Sequence, residues 1–89
     1  MKWGITMQEF MRKFTQLNGA EAKVVLEHSL FDGQRFYCRQ LQTINDDKRI
    51  GVVIKGHEIF VDKQDVKVAE VQDGVYTVSD GRLKILVKI

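Results

Sequence analysis

The chain has 89 residues, 44% of them apolar, with 14 basic and 12 acidic side chains and a net charge of +2. That length suits a single domain and excludes a two-domain enzyme. The near-balance of charge excludes the clear basic excess of a dedicated nucleic-acid binder, yet permits an anionic partner.

A helix is expected first, over about residues 6–18. Thr6 and Glu9 have the spacing of a capping box, and Ile5 and Phe10 that of a hydrophobic staple. Met7, Phe10, Met11, Phe14 and Leu17 then fall at the i, i+3, i+4, i+7 spacing of an apolar stripe. Gln8, Arg12, Lys13 and Gln16 occupy the opposite side, and Asn18-Gly19 supplies a left-handed stop. A helix this short does not persist alone in water, so the stripe is expected to pack on a sheet.

The part from about residue 22 to 89 reads as antiparallel hairpins. Asp32-Gly33, Asp73-Gly74 and Asp80-Gly81 each lie between runs of alternating apolar and polar residues. Glycine takes the positive φ of a tight hairpin turn without a Cβ clash. In the first hairpin Ala22, Val24, Leu26, His28 and Leu30 share a parity with Phe36 and Cys38. A three-residue loop, Phe31-Asp32-Gly33, would pair Leu26 with Cys38 and His28 with Phe36, keeping Arg39 off the core. Parity breaks near Gln40, where a bulge or strand end is expected. Asn45 to Lys48 reads as a solvated turn, and Ile50 to Ile54 as a strand covered on both sides. Lys55-Gly56 turns the chain into His57 to Val61, and Lys63-Gln64-Asp65 is a loop.

The last three strands form a meander. Two-residue loops at Asp73-Gly74 and Asp80-Gly81 would place Ala69, Val71, Tyr76, Val78, Leu83, Ile85 and Val87 on one inner face. Glu70, Gln72, Val75, Thr77, Ser79, Arg82, Lys84, Leu86 and Lys88 take the outer face. The fold class is therefore α+β. One N-terminal amphipathic helix packs on a curled antiparallel sheet, or on a small β-barrel, of six to seven short strands.

No catalytic, cofactor or metal signature emerges. His28, His57 and Cys38 lack metal-ligand spacing, and a zinc site built on them would need a further ligand such as Asp62. His28 and Cys38 are the one pair that could meet as base and nucleophile, without an orienting third group. Gly51 to Gly56 has the spacing of a phosphate loop but is followed by His57 instead of Lys and Ser/Thr. The reading is a non-enzymatic module that needs no cofactor.

Two surface patches remain. Arg82, Lys84 and Lys88, with Lys67 as a further member, make a basic strip on the last strand. Arg35, Tyr37 and Arg39 share the outer face of the second strand and would suit single-stranded nucleic acid by stacking and charge. Trp3, Val25, Phe60 and Leu86 are apolar residues on outer faces, the mark of a protein interface. The expected function is thus binding of a protein partner, or self-association, through a sheet edge or face. The expected type is an inhibitor or adaptor such as those made by phages and mobile elements. Nucleic-acid binding is the alternative. One cysteine excludes an internal disulfide framework and leans towards a reducing compartment. With no secretory leader legible after Lys2 and no long apolar run, the expected location is cytoplasmic, without membrane contact.

Overall fold

A computed structural model describes residues 7–28 and 30–89. One helix, α1 (Met7–Thr15), is followed by eight strands: β1 (Ala22–His28), β2 (Phe31–Cys38), β3 (Gln42–Asn45), β4 (Arg49–Ile54), β5 (His57–Asp62), β6 (Val68–Gln72), β7 (Val75–Ser79) and β8 (Leu83–Lys88). They form two antiparallel sheets, one of five strands in the order β2-β1-β8-β7-β6 and one of three in the order β3-β4-β5. The α+β architecture stands as expected. The sheet is split in two and left open, and the strand count is eight because β3 separates from β2 at the parity break around Gln40.

The two sheets close on one core. Val24, Val78, Ile85 and Val87 from the larger sheet meet Ile50, Val52, Ile54 and Val61 from the smaller, and Phe10, Phe14 and Leu17 fill the end between them. Of the helical stripe, Phe10, Phe14 and Leu17 are buried and Met7 and Met11 half-buried, with Phe10 stacked on Phe14 at 5.6 Å and tilted against Tyr76 at 6.3 Å. Gly19 has φ +87, the left-handed residue after the helix. Thr6 and Ile5, invoked for the capping box and staple, lie outside the described residues.

Polar bonds fix the helix to β3. The Asn45 amide donates to the Met11 carbonyl (3.2 Å) and to Thr15 Oγ1 (2.6 Å). Asn18 Oδ1 accepts from the Thr43 N–H at 3.0 Å, and the Gly19 N–H donates to the Leu41 carbonyl at 2.6 Å. Across the other side Lys55 Nζ sits 5.9 Å from the Phe36 ring centroid, linking the β4–β5 turn to β2.

Two turns follow their sequence signals. Lys55-Gly56 (φ 51 and 81) and Asp73-Gly74 (φ 53 and 78) both have the paired positive φ of a type I′ hairpin. Two registers differ from expectation. In the first hairpin Ala22 pairs with Cys38, Val24 with Phe36 and Leu26 with Gln34, and the chain reverses between His28 and Phe31, with an irregularity between Leu26 and His28. Asp32-Gly33 lies inside β2, and the φ of Gly33 is outside the left-handed region. The slip is an even number of residues, so Ala22, Val24 and Phe36 still face the core, whereas Leu30, expected on the same face, lies in the turn and is 79% exposed.

At the second site Val78 pairs with Ile85 and Ser79 with Lys84, two residues beyond the tight loop expected at Asp80-Gly81. Asp80 sets the longer loop, its Oδ1 accepting from the Arg82 and Leu83 N–H groups at 2.8 Å each. Tyr76 and Ile85 nonetheless share the inner face.

Candidate functional site

The face of the five-stranded sheet turned away from the core is the surface on which the sequence places its binding residues. Its composition follows from the strand registers. One cross-strand row reads Tyr37, Lys23, Lys88, Val75 and Gln72, and the next reads Arg35, Val25, Leu86, Thr77 and Glu70. A third carries Glu27, Lys84, Ser79 and Val68. The apolar centre is Val25 opposite Leu86 with Val75 beside them, all half-buried. Thr77 and Ser79, expected to be exposed here, are buried at 8% and 6%. Both are short, and each lies in a ladder between longer neighbours on β6 and β8, which screen it from water.

Arg35, Tyr37 and Lys88 come together at one corner of this face around a shallow depression of about 490 Å³, also lined by Lys23 and Val25. Tyr37 is 58% exposed. A hydrogen bond to the Glu21 carboxylate, aided by desolvation and the Glu21 charge, pushes the Tyr37 phenol up from its ordinary value. Arg39 follows the end of β2 and is exposed beyond this corner. Lys84 is one row past Val25 and Leu86, with Nζ 4.0 Å from Glu27. Arg82 sits in the β7–β8 loop, six residues from Lys88 along β8, or roughly 20 Å in extended chain. Lys67 lies beside that loop, its Cδ near Gly81. The expected basic strip is therefore divided: Lys88 joins Arg35 and Tyr37, while Arg82 stands apart.

Lys23 is the residue that sequence reading missed. It faces Lys88 directly across the β1–β8 ladder and Tyr37 across β1–β2. Only the pairing of β1 with a strand some 60 residues later exposes it as part of the patch. Its odd parity with Val25 was the available signal.

The nucleophile–base pair does not form. Cys38 pairs with Ala22 at one end of β1 and His28 lies at the other, about 20 Å away in extended chain. His28 Nδ1 accepts from the Leu30 N–H at 3.1 Å. Among the described residues no three His, Cys, Asp or Glu side chains are placed to hold a metal ion. No helix of the described residues is long and apolar enough to cross a membrane.

The smaller sheet carries a separate polar cluster. Arg49 bonds Asp46 Oδ2 through Nε (2.9 Å) and NH2 (2.8 Å), reaches Glu58 at 3.3 Å, and lies 4.9 Å from the Phe60 ring centroid. Asp46 also accepts from the Lys48 and Arg49 N–H groups. These contacts, the Lys48 N–H foremost, hold its carboxyl down to about 2. Every strong partner of this cluster is internal, so it reads as a locked turn. The depression beneath it, about 310 Å³, is lined by Asp47, Lys48, Asp62, Lys63 and Gln64, whose charges balance.

Comparison with protein-family models, with curated proteins and with solved structures finds no match to this chain.

Proposed function

We propose that the protein is a non-enzymatic binding module that engages a protein partner through the open face of its five-stranded sheet. The observation that carries this reading is the Val25–Leu86 cross-strand pair, half-exposed at the centre of the face, with Lys23, Arg35 and Lys88 around it. Apolar side chains at the centre with a polar rim are the layout of a protein interface, in which central contacts supply affinity and rim charges supply orientation. The sequence-level attribution to an inhibitor or adaptor acting in the cytoplasm is part of the same proposal.

The experiment is affinity capture from nuclease-treated extract of the native host, with the natural chain and with Val25→Thr side by side. Threonine keeps the β-branched shape a strand favours and removes apolar contact. A protein retained by the natural chain at high salt and lost with Val25→Thr supports the reading. Retention by both chains contradicts it.

Exposed Tyr37, flanked by Lys23 and Arg35, favours a second reading, single-stranded nucleic acid stacked on the ring. Binding of that kind weakens steeply with rising salt through counterion release, and nuclease treatment abolishes it.

A further inference from the structure

We propose that the position where Lys23 faces Lys88 is an anion subsite, which seats the carboxylates of an acidic, extended segment of the partner protein. The inference rests on the open-face reading and adds to it the chemistry of the partner.

Like charges directly opposite on a sheet face repel and destabilise the ladder. Lys23 and Lys88 are such a pair, and their row neighbours, Tyr37 and Val75, carry no negative charge. Among the described residues, no ion pair joins Lys23, Lys88 or Arg35 to an acidic side chain. Arg49 has two carboxylates, and Lys84 reaches Glu27. Glu21, the residue before β1, has its carboxylate engaged by the Tyr37 hydroxyl. The sheet thus holds three cations around one shallow depression, and the Glu21 charge beside Tyr37 offsets them only in part. An incoming anion turns that repulsion into attraction.

The geometry around the subsite favours a peptide. Arg35 lies two residues from Tyr37 along β2, so the Lys23–Lys88 row and the Arg35 row are separated by about 7 Å. Alternate side chains of an extended peptide have the same spacing. Val25 and Leu86 lie within the Arg35 row, where an aliphatic side chain of that peptide finds apolar contact. A phosphodiester chain offers charge at this surface but no branched aliphatic side chain at alternate positions for that strip.

The test uses an acetylated peptide of alternating Glu and Val and an oligo-thymidine strand, each titrated at one low ionic strength into the natural chain, Lys23→Gln, Lys88→Gln and the control Lys48→Gln. Amide shifts report the contact surface. The expected result is peptide binding that weakens at least about tenfold in Lys23→Gln and Lys88→Gln and is unchanged in Lys48→Gln. Without peptide, Lys88→Gln should melt at the same temperature as the natural chain or higher, because repulsion is relieved. The proposal is overturned if the peptide does not bind, if it binds Lys88→Gln as well as the natural chain, or if Lys88→Gln melts lower. Lysine-dependent binding of the oligonucleotide in place of the peptide also overturns it. A native partner lost with Val25→Thr but kept by both glutamine variants overturns the subsite alone. A partner kept by all three ends the open-face reading too.

Discussion

Val25 and Leu86 face each other across the β1–β8 ladder on the side of the sheet turned away from the core, while their chain neighbours Val24 and Ile85 are wholly buried beneath them. One strand pair thus carries two apolar layers. The inner layer holds the two sheets together, and the outer one has no covering element within the described residues. Val24→Ala or Ile85→Ala is expected to cost about 2–5 kcal/mol, as for other buried aliphatic truncations. Leu86→Ala should cost about 1 kcal/mol, since the side chain is only half removed from water. Urea denaturation of the single variants measures the difference. Equal losses at positions 85 and 86 would mean that the outer layer is core.

Gly51 is required by packing. A Cβ built there meets the Ile59 carbonyl oxygen and lies 2.5 Å from Phe60 Cα, both backbone atoms of β5 that cannot rotate aside. Gly51→Ala is expected to destabilise the fold by more than about 3 kcal/mol or prevent it, the range for overpacking against fixed neighbours. Gly33→Ala, whose Cβ meets nothing closer than 3.5 Å, should be tolerated. Thermal melting of the two variants provides the comparison.

The helix-to-β3 bonds give a third expectation. Asn45 bridges the Met11 carbonyl and the Thr15 hydroxyl, so Asn45→Ala removes two bonds and leaves the carbonyl with its bond from the Thr15 hydroxyl. A loss of about 1–2 kcal/mol is expected. Amide exchange should rise selectively over residues 7–19.

Acid stability is the fourth. The Asp46 carboxyl, held at about 2 in the folded chain, titrates at its ordinary, higher value once unfolded. A depressed folded value stabilises the fold above the unfolded value, and that contribution is lost as pH falls from about 4 towards 2. Asp80 is lowered as well: desolvation by burial opposes the shift and is outweighed by the Leu83, Arg82 and Asp80 N–H groups and the Arg82 charge together. Asp46→Asn should flatten part of the acid limb of a denaturation-midpoint profile and leave its neutral region unaltered in slope. An unchanged acid limb would show that Asp46 keeps an ordinary carboxyl.

Parity was legible in this chain, and register only in part: the Asp73-Gly74 hairpin has its expected pairing and two others do not. Alternation in β1, β2 and β6 to β8 placed Ala22, Val24, Tyr76, Val78, Ile85 and Val87 correctly on the inner face. It misplaced two of the turns, at Asp32-Gly33 and Asp80-Gly81, because a slip of an even number of residues moves partners without changing faces. Asp32-Gly33 has the composition of a turn, yet it lies in a strand. Asp80 sets a longer loop through its own side-chain bonds, a local geometry that composition does not encode. The candidate site suffered from the same limit in a non-local form. Arg35, Tyr37 and Lys88 were visible as outward-facing residues. Lys23 entered only through the β1–β8 pairing, and Arg82 left only through the loop that carries it away.

The most direct test of the open-face account compares two outward-facing apolar positions on different sheets, half-buried Leu86 and exposed Phe60. Leu86→Thr lies at the centre of the proposed surface, and Phe60→Thr lies on the smaller sheet beside Arg49. Partner affinity measured by calorimetry for folded samples of each should fall at least about tenfold for Leu86→Thr and stay within about twofold for Phe60→Thr. Loss of affinity at Phe60 with none at Leu86 would contradict the account and move the interface to the three-stranded sheet.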